Sequence, residues 1–108
     1  MAKLVKNVPG DFDTVLNRVT DGILGGSMSA SLEDSWDTRG TWSRCAVRVF
    51  ERYSWTGENR VSMSVTFYQE SGGPVQICAI TSGGSQALFF KMNTLGEEAF
   101  LDTLREIL

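Results

Sequence analysis

The sequence predicts an α+β fold: a two-layer sandwich in which an antiparallel meander of four to five strands carries an N-terminal and a C-terminal helix on one face. Three observations predict it. Apolar residues recur at helical spacing near each end of the 108-residue chain, at Phe12, Val15, Leu16, Val19 and Ile23 and again at Phe100, Leu101, Leu104, Ile107 and Leu108. Between these ends, residues 42–68 alternate apolar and polar side chains as two long strands do. Every connection between strands is short enough for a meander, so one apolar stripe per helix and one apolar sheet face must cover each other.

The elements follow in order. Pro9-Gly10-Asp11 stops an extended N-terminal segment. Gly10 or Asp11 caps the first helix, and Asp11 and Asp13 suit the positive end of its dipole. Gly25-Gly26 ends that helix. Residues 27–33 set Met28, Ala30 and Leu32 against serines and Glu33, the pattern of a half-buried strand. Residues 34–40 read as a polar connection containing Trp36, which like Trp55 is expected to fold back over the edge of the core. The second strand spans 41–53, a hairpin turn follows over 54–59, and the third strand spans 60–69. After Gly72-Gly73-Pro74, where proline suits a strand start, the fourth strand covers 75–81. Residues 82–85 form a loop, and the apolar run 87–92 is expected to be a fifth strand. Thr94 to Glu97 fits a capping box for the last helix.

Alternation sorts residues 42–68 into two faces. Cys45, Val47, Val49, Val61, Met63, Val65 and Phe67 are expected to face the helices, with Met28 and Met92 also inward. Each such side chain contributes roughly 1.5–3 kcal/mol when buried, so these residues set the register. The other parity carries Trp42, Arg44, Arg48, Phe50 and Arg52, then Arg60, Ser62, Ser64, Thr66 and Tyr68.

Composition bounds the function. One domain, residues 1–108, is expected, and 42% hydrophobic with 21% charged residues suits a packed globular chain. A net charge of −3 argues against a nucleic-acid partner. Cys45 and Cys78 match no metal spacing and fall on opposite parities, Cys45 inward and Cys78 outward, so two reduced, inert thiols are expected. With no signal-peptide run and no apolar stretch near 20 residues, a cytoplasmic location without a membrane partner is expected. The chain has no histidine, which removes the commonest acid–base group and the commonest neutral metal ligand; no metal and no cofactor are expected.

Residues 44–55, Arg-Cys-Ala-Val-Arg-Val-Phe-Glu-Arg-Tyr-Ser-Trp, and residues 79–86, Ala-Ile-Thr-Ser-Gly-Gly-Ser-Gln, continuing into the terminal Glu97-Glu98-Ala99-Phe100-Leu101 helix, carry a resemblance. They resemble a family of short bacterial proteins, mostly from Gram-positive anaerobes, catalogued as a domain of unknown function. The resemblance implies a small bacterial single domain and brings no catalytic residues with it.

The surface that looks like more than packing is the polar face. Arg44, Arg48 and Arg52 sit two pleats apart, Phe50 lies between the last two, and Arg60 falls nearby if the hairpin closes near Tyr53 and Arg60. Guanidinium groups suit bidentate capture of carboxylate or phosphate and stack on rings. The candidate binding residues are therefore Arg44, Arg48, Phe50, Arg52 and Arg60, flanked by Trp42 and Tyr68. Their partner is either an acidic small molecule or peptide, or a second copy of the chain in a homodimer. Plain solvation, with the arginine heads paired to Glu33, Glu51 or Glu58, is the simplest reading of the same face. The rival is a small enzyme with a pocket between helices and sheet that uses Glu51 or a cysteine. The Ser82–Gln86 segment lacks the lysine and following helix of a phosphate loop and reads as a turn.

Overall fold

The computed structural model describes residues 1–54, 59–83 and 90–108, and of 54, 59 and 90–96 the backbone alone. Five strands form one open antiparallel sheet: β1 (Ala2–Val8), β2 (Ser31–Arg39), β3 (Ser43–Ser54), β4 (Asn59–Glu70) and β5 (Val75–Gly83). Two helices, α1 (Phe12–Gly25) and α2 (Phe90–Ile107), complete the α+β fold. The strand order is β1-β5-β4-β3-β2, so β2 to β5 run as consecutive hairpins and β1 pairs along the outer edge of β5.

α1 is built as its sequence dictates. The Asp11 side chain accepts from the Thr14 backbone N–H at 3.0 Å, satisfying one of the donors that a helix start leaves unpaired. The helix ends at Gly26, whose N–H reaches the Ile23 carbonyl. Gly22, inside the helix, has a reason of its own: a Cβ there would lie 2.6 Å from the Ile107 side chain, so its absence lets α2 come close.

Three elements differ from the sequence reading. The extended N-terminal segment is a full sheet strand. β2 occupies residues 31–39, so the polar stretch taken as a connection is the strand and Met28 lies outside it, fully exposed. A shift in register between Leu32 and Asp34 makes Glu33 the extra residue of a bulge. α2 begins at Phe90, so residues 90–92 are helix rather than strand, and Thr94 sits within the helix instead of capping it. The remainder of that expected fifth strand, the 84–86 portion of the serine–glycine loop, Trp55 and the Met92 side chain lie outside the described residues.

The largest correction concerns which face of β3 is covered. Arg48 pairs with Val65, Phe50 with Met63 and Arg52 with Val61, so each even residue of β3 shares a face with an odd residue of β4. The core holds Val61, Met63, Val65 and Phe67 of β4, as expected, together with Val75, Ile77 and Ala79 of β5. From β3, however, it takes Ala46 and Phe50, not Cys45, Val47 and Val49. Phe50 is 0% exposed, a core residue and not a surface one. Val15, Leu16, Val19 and Ile23 of α1 and Phe100, Leu101 and Leu104 of α2 complete the cluster.

Cavity costs follow from this assignment. Phe50→Ala is expected to destabilise by about 3–5 kcal/mol. Val47→Ala, on the uncovered side, should change stability by less than about 1 kcal/mol in dilute solution. Chemical denaturation of the two variants checks the order, and the reverse order would place the valines in the core.

Candidate functional site

Arg44, Arg48 and Arg52 share the helix-covered face of β3 with Phe50; Arg44 and Arg52 stand beside the helices and Arg48 turns toward β2. Arg44 reaches the start of α1. Its guanidinium lies 4.4 Å from the Phe12 ring centroid and donates to both carboxylate oxygens of Asp13, at 2.9 and 3.0 Å. Arg48 donates to Asp37 of the neighbouring β2 at 2.6 Å and to the Val47 carbonyl at 3.0 Å. Arg52 packs 4.6 Å over the Phe100 ring of α2 and donates to the Thr103 hydroxyl at 3.3 Å. The stems cover the edge of the core while the heads stay at the rim.

The ionisation states follow from these partners. Hydrogen bonds from Arg44 hold the Asp13 carboxyl below its usual 3.8, and those from Arg48 do the same for Asp37. The bond to Asp13 raises Arg44 in turn. Burial lowers Arg52, which has a ring and a hydroxyl beside it but no carboxylate partner among the described ion pairs. Of the four arginines expected to capture a ligand, Arg44 and Arg48 are thus already paired with the chain's own aspartates.

Arg60 lies on the other face. It pairs with Glu51 at 2.9 Å and stands 5.3 Å from the Tyr53 ring centroid. Tyr53 and Arg60 are direct cross-strand partners, and that same register separates Arg60 from the other three arginines. Tyr68 is also on this uncovered face. Its hydroxyl donates to Glu70 at 3.1 Å, a bond that raises its pKa. Trp42, 75% exposed, belongs to the β2–β3 connection. With Arg39, Arg44, Gln69, Glu70 and Ser71 it lines an open cleft of about 360 Å³ at one end of the sheet.

The uncovered face forms a grid, because partners directly opposite in an antiparallel ladder project to the same side. Lys3, Ile80, Ser64, Val49 and Asp34 follow one another across all five strands. The next line is Val5, Cys78, Thr66, Val47 and Trp36, and the next Asn7, Gln76, Tyr68, Cys45 and Thr38. No helix among the described residues packs here, and Val5 and Trp36 are each 62% exposed. The middle of the grid carries no charge. Sequence reasoning named Ser64, Thr66, Tyr68 and Cys78 on this face but missed Val5, Trp36, Val47 and Val49. The signal that finds the valines is the Tyr53–Arg60 closure, since it fixes the parity of every other pair in the hairpin.

Both cysteines are free and both lie on this face, so Cys45 is outward rather than inward. Two inter-strand gaps of about 4.8 Å separate them, beyond the roughly 7 Å limit for a disulfide. Glu51 and the cysteines therefore stand on the side away from the helices, and the expected pocket between helices and sheet does not contain them. Glu97 is the buried carboxylate of α2: it accepts from the Gly83 backbone N–H at 3.0 Å and pairs with the Met1 amino group. Among the described residues no group of three or more Cys, Asp or Glu side chains is placed to hold a metal ion. No helix among them is long and apolar enough to cross a membrane.

The whole sequence, residues 1–108, matches a family model described as a family of unknown function (DUF6054). The chain belongs to that family. None of the curated proteins matches it. Family membership covers every element that builds the grid and brings no assigned chemistry to it, so the reading of function rests on the surfaces themselves.

The lowered Asp13 and Asp37 values set a pH dependence. A carboxyl whose pKa falls on folding stabilises the fold above its unfolded pKa and ceases to do so as pH drops through the lowered value. Asp13→Asn and Asp37→Asn should each show a small loss of melting temperature at about pH 7, and that deficit should vanish near pH 2. Thermal unfolding at both pH values checks this; a deficit that persists in acid would contradict the pairing.

Proposed function

We propose that residues 1–108 form one domain that acts as a non-enzymatic, self-associating module, with the uncovered sheet face as its contact surface and a second copy of the chain as its partner. The reading rests on a two-layer arrangement: the β2–β5 meander keeps one face under both helices and leaves the other bare. The observation that carries it is the uncharged centre of that face, where Val5, Ile80, Val47, Val49 and Trp36 surround a column of β4 hydroxyls. Apolar surface of this extent is stabilised by cover. Five strands about 4.8 Å apart and seven residues at about 3.3 Å each give roughly 550 Å² per copy, so a pair would remove on the order of 1,100 Å² from water, at the lower end of specific interfaces. The two unbridged thiols favour a reducing, cytoplasmic setting.

Sedimentation at several concentrations tests this. The wild type is expected to dimerise, and Val47→Glu to remain folded but monomeric, because it places a charge at the centre of the patch. A wild type that stays monomeric throughout would remove the proposal.

A second reading concerns an acidic small molecule or peptide. The cleft beside Trp42 supports it, because Arg39 and Arg44 stand beside an exposed aromatic ring. Of the residues expected at an anion site, this reading retains Trp42 and Arg44 and adds Arg39. If it holds, a carboxylate or phosphate ligand raises the melting temperature of the wild type and leaves that of an Arg39→Ala, Trp42→Ala variant unmoved. Equal shifts in both proteins would dismiss the cleft.

A further inference from the structure

The grid on the uncovered face is self-complementary in one orientation, and from this we infer that two copies pair face to face about a two-fold axis running along β4. The inference rests on the self-association reading above and specifies its geometry.

Rotation about an axis parallel to the strands and centred on β4 lays β1 of one copy over β2 of the other and β5 over β3. The cross-strand lines are kept, each reversed end to end. Lys3 then meets Asp34 of the second copy, Ile80 meets Val49, and Ser64 lies over its own equivalent. In the next line Val5 meets Trp36, Cys78 meets Val47, and Thr66 lies on the axis. Apolar residues thus oppose apolar ones, small hydroxyl residues occupy the centre, and the two charges at the sheet's edges become intermolecular pairs of opposite sign. An isologous interface requires this kind of match between a surface and itself.

The alternative orientation is disfavoured by the same residues. Rotation about an axis running across the strands lays each strand over itself. Depending on which line the axis follows, Lys3 would face Lys3, Val5 or Asn7, and Asp34 would face Asp34, Trp36 or Thr38, so like charges would meet or a charge would lose water without an opposite charge. Packed sheets cross at about −30° in the aligned class, and the length of the lysine side chain absorbs the offset that such a crossing introduces at the edges. Charge at these two positions selects the orientation, and the apolar centre supplies the attraction.

Two experiments on the full chain read this out. In a Cys45→Ser, Cys78→Ser background, Thr66→Cys places one thiol from each copy on the axis. A short bismaleimide is expected to join the two chains efficiently, while the same thiol at position 38, from Thr38→Cys, is not joined. Separately, Lys3→Asp alone and Asp34→Lys alone should each weaken dimerisation by about tenfold, and the double exchange should restore it. Both residues are exposed in the single chain, so folding is not at risk. A dimer that forms without cross-linking at position 66 and without rescue by the double exchange would overturn this arrangement and leave the contact face standing. A chain that never dimerises would overturn both.

Discussion

The register of the β3–β4 hairpin governs the rest of the structure. Tyr53 opposite Arg60 commits Arg48 to the face of Val65 and Val47 to the face of Thr66. Side chains alternate across a strand, so one residue of slip would exchange the two sets entirely. With this register the helices cover Phe50 and Ala46, Arg44 and Arg52 fall beside α1 and α2, and a stripe of valine and cysteine is left without cover.

Geometry explains why arginine lies on the covered side of β3. Two helices packed about 10 Å apart span about four strands spaced 4.8 Å. Here α2 packs across β1, β5 and β4, and on β3 the layer covers Ala46 and Phe50 with the arginines at its rim. A side chain at such a margin needs a flat face for a ring and donors for a polar partner, which arginine supplies: its guanidinium stacks over Phe12 or Phe100 and donates to Asp13 or Thr103. β2, beyond the helices, is exposed along nearly its whole length and correspondingly polar. Its acidic residues and its bulge discourage further strands from adding at that edge.

Much of this was legible in the sequence. The first helix, its Asp11 cap, its glycine end and the positions of β3, β4 and β5 were readable from periodicity and turn residues, because those signals are local. β1 was not, since Lys-Leu-Val-Lys-Asn is short and its pairing with β5 spans most of the chain. β2 was misplaced because a strand uncovered on both faces shows no alternation. The error in β3 came from assuming that valines in one strand face those in the next. Hydrophobicity alone favours that alignment, whereas the hairpin closure decides against it. Of the expected site residues, Arg44, Arg48 and Arg52 do share a face, but Phe50 is buried among them and Arg60 and Tyr68 lie on the other side.

Thiol reactivity of Cys45 tests the register most directly. In a Cys78→Ser, Val47→Glu variant, where pairing between copies is blocked, the account predicts that a small thiol reagent modifies Cys45 in the folded chain, at a rate that stabilising conditions do not change. If Cys45 instead reacts only as fast as the protein unfolds, it lies beneath the helices, and the assignment of faces is wrong.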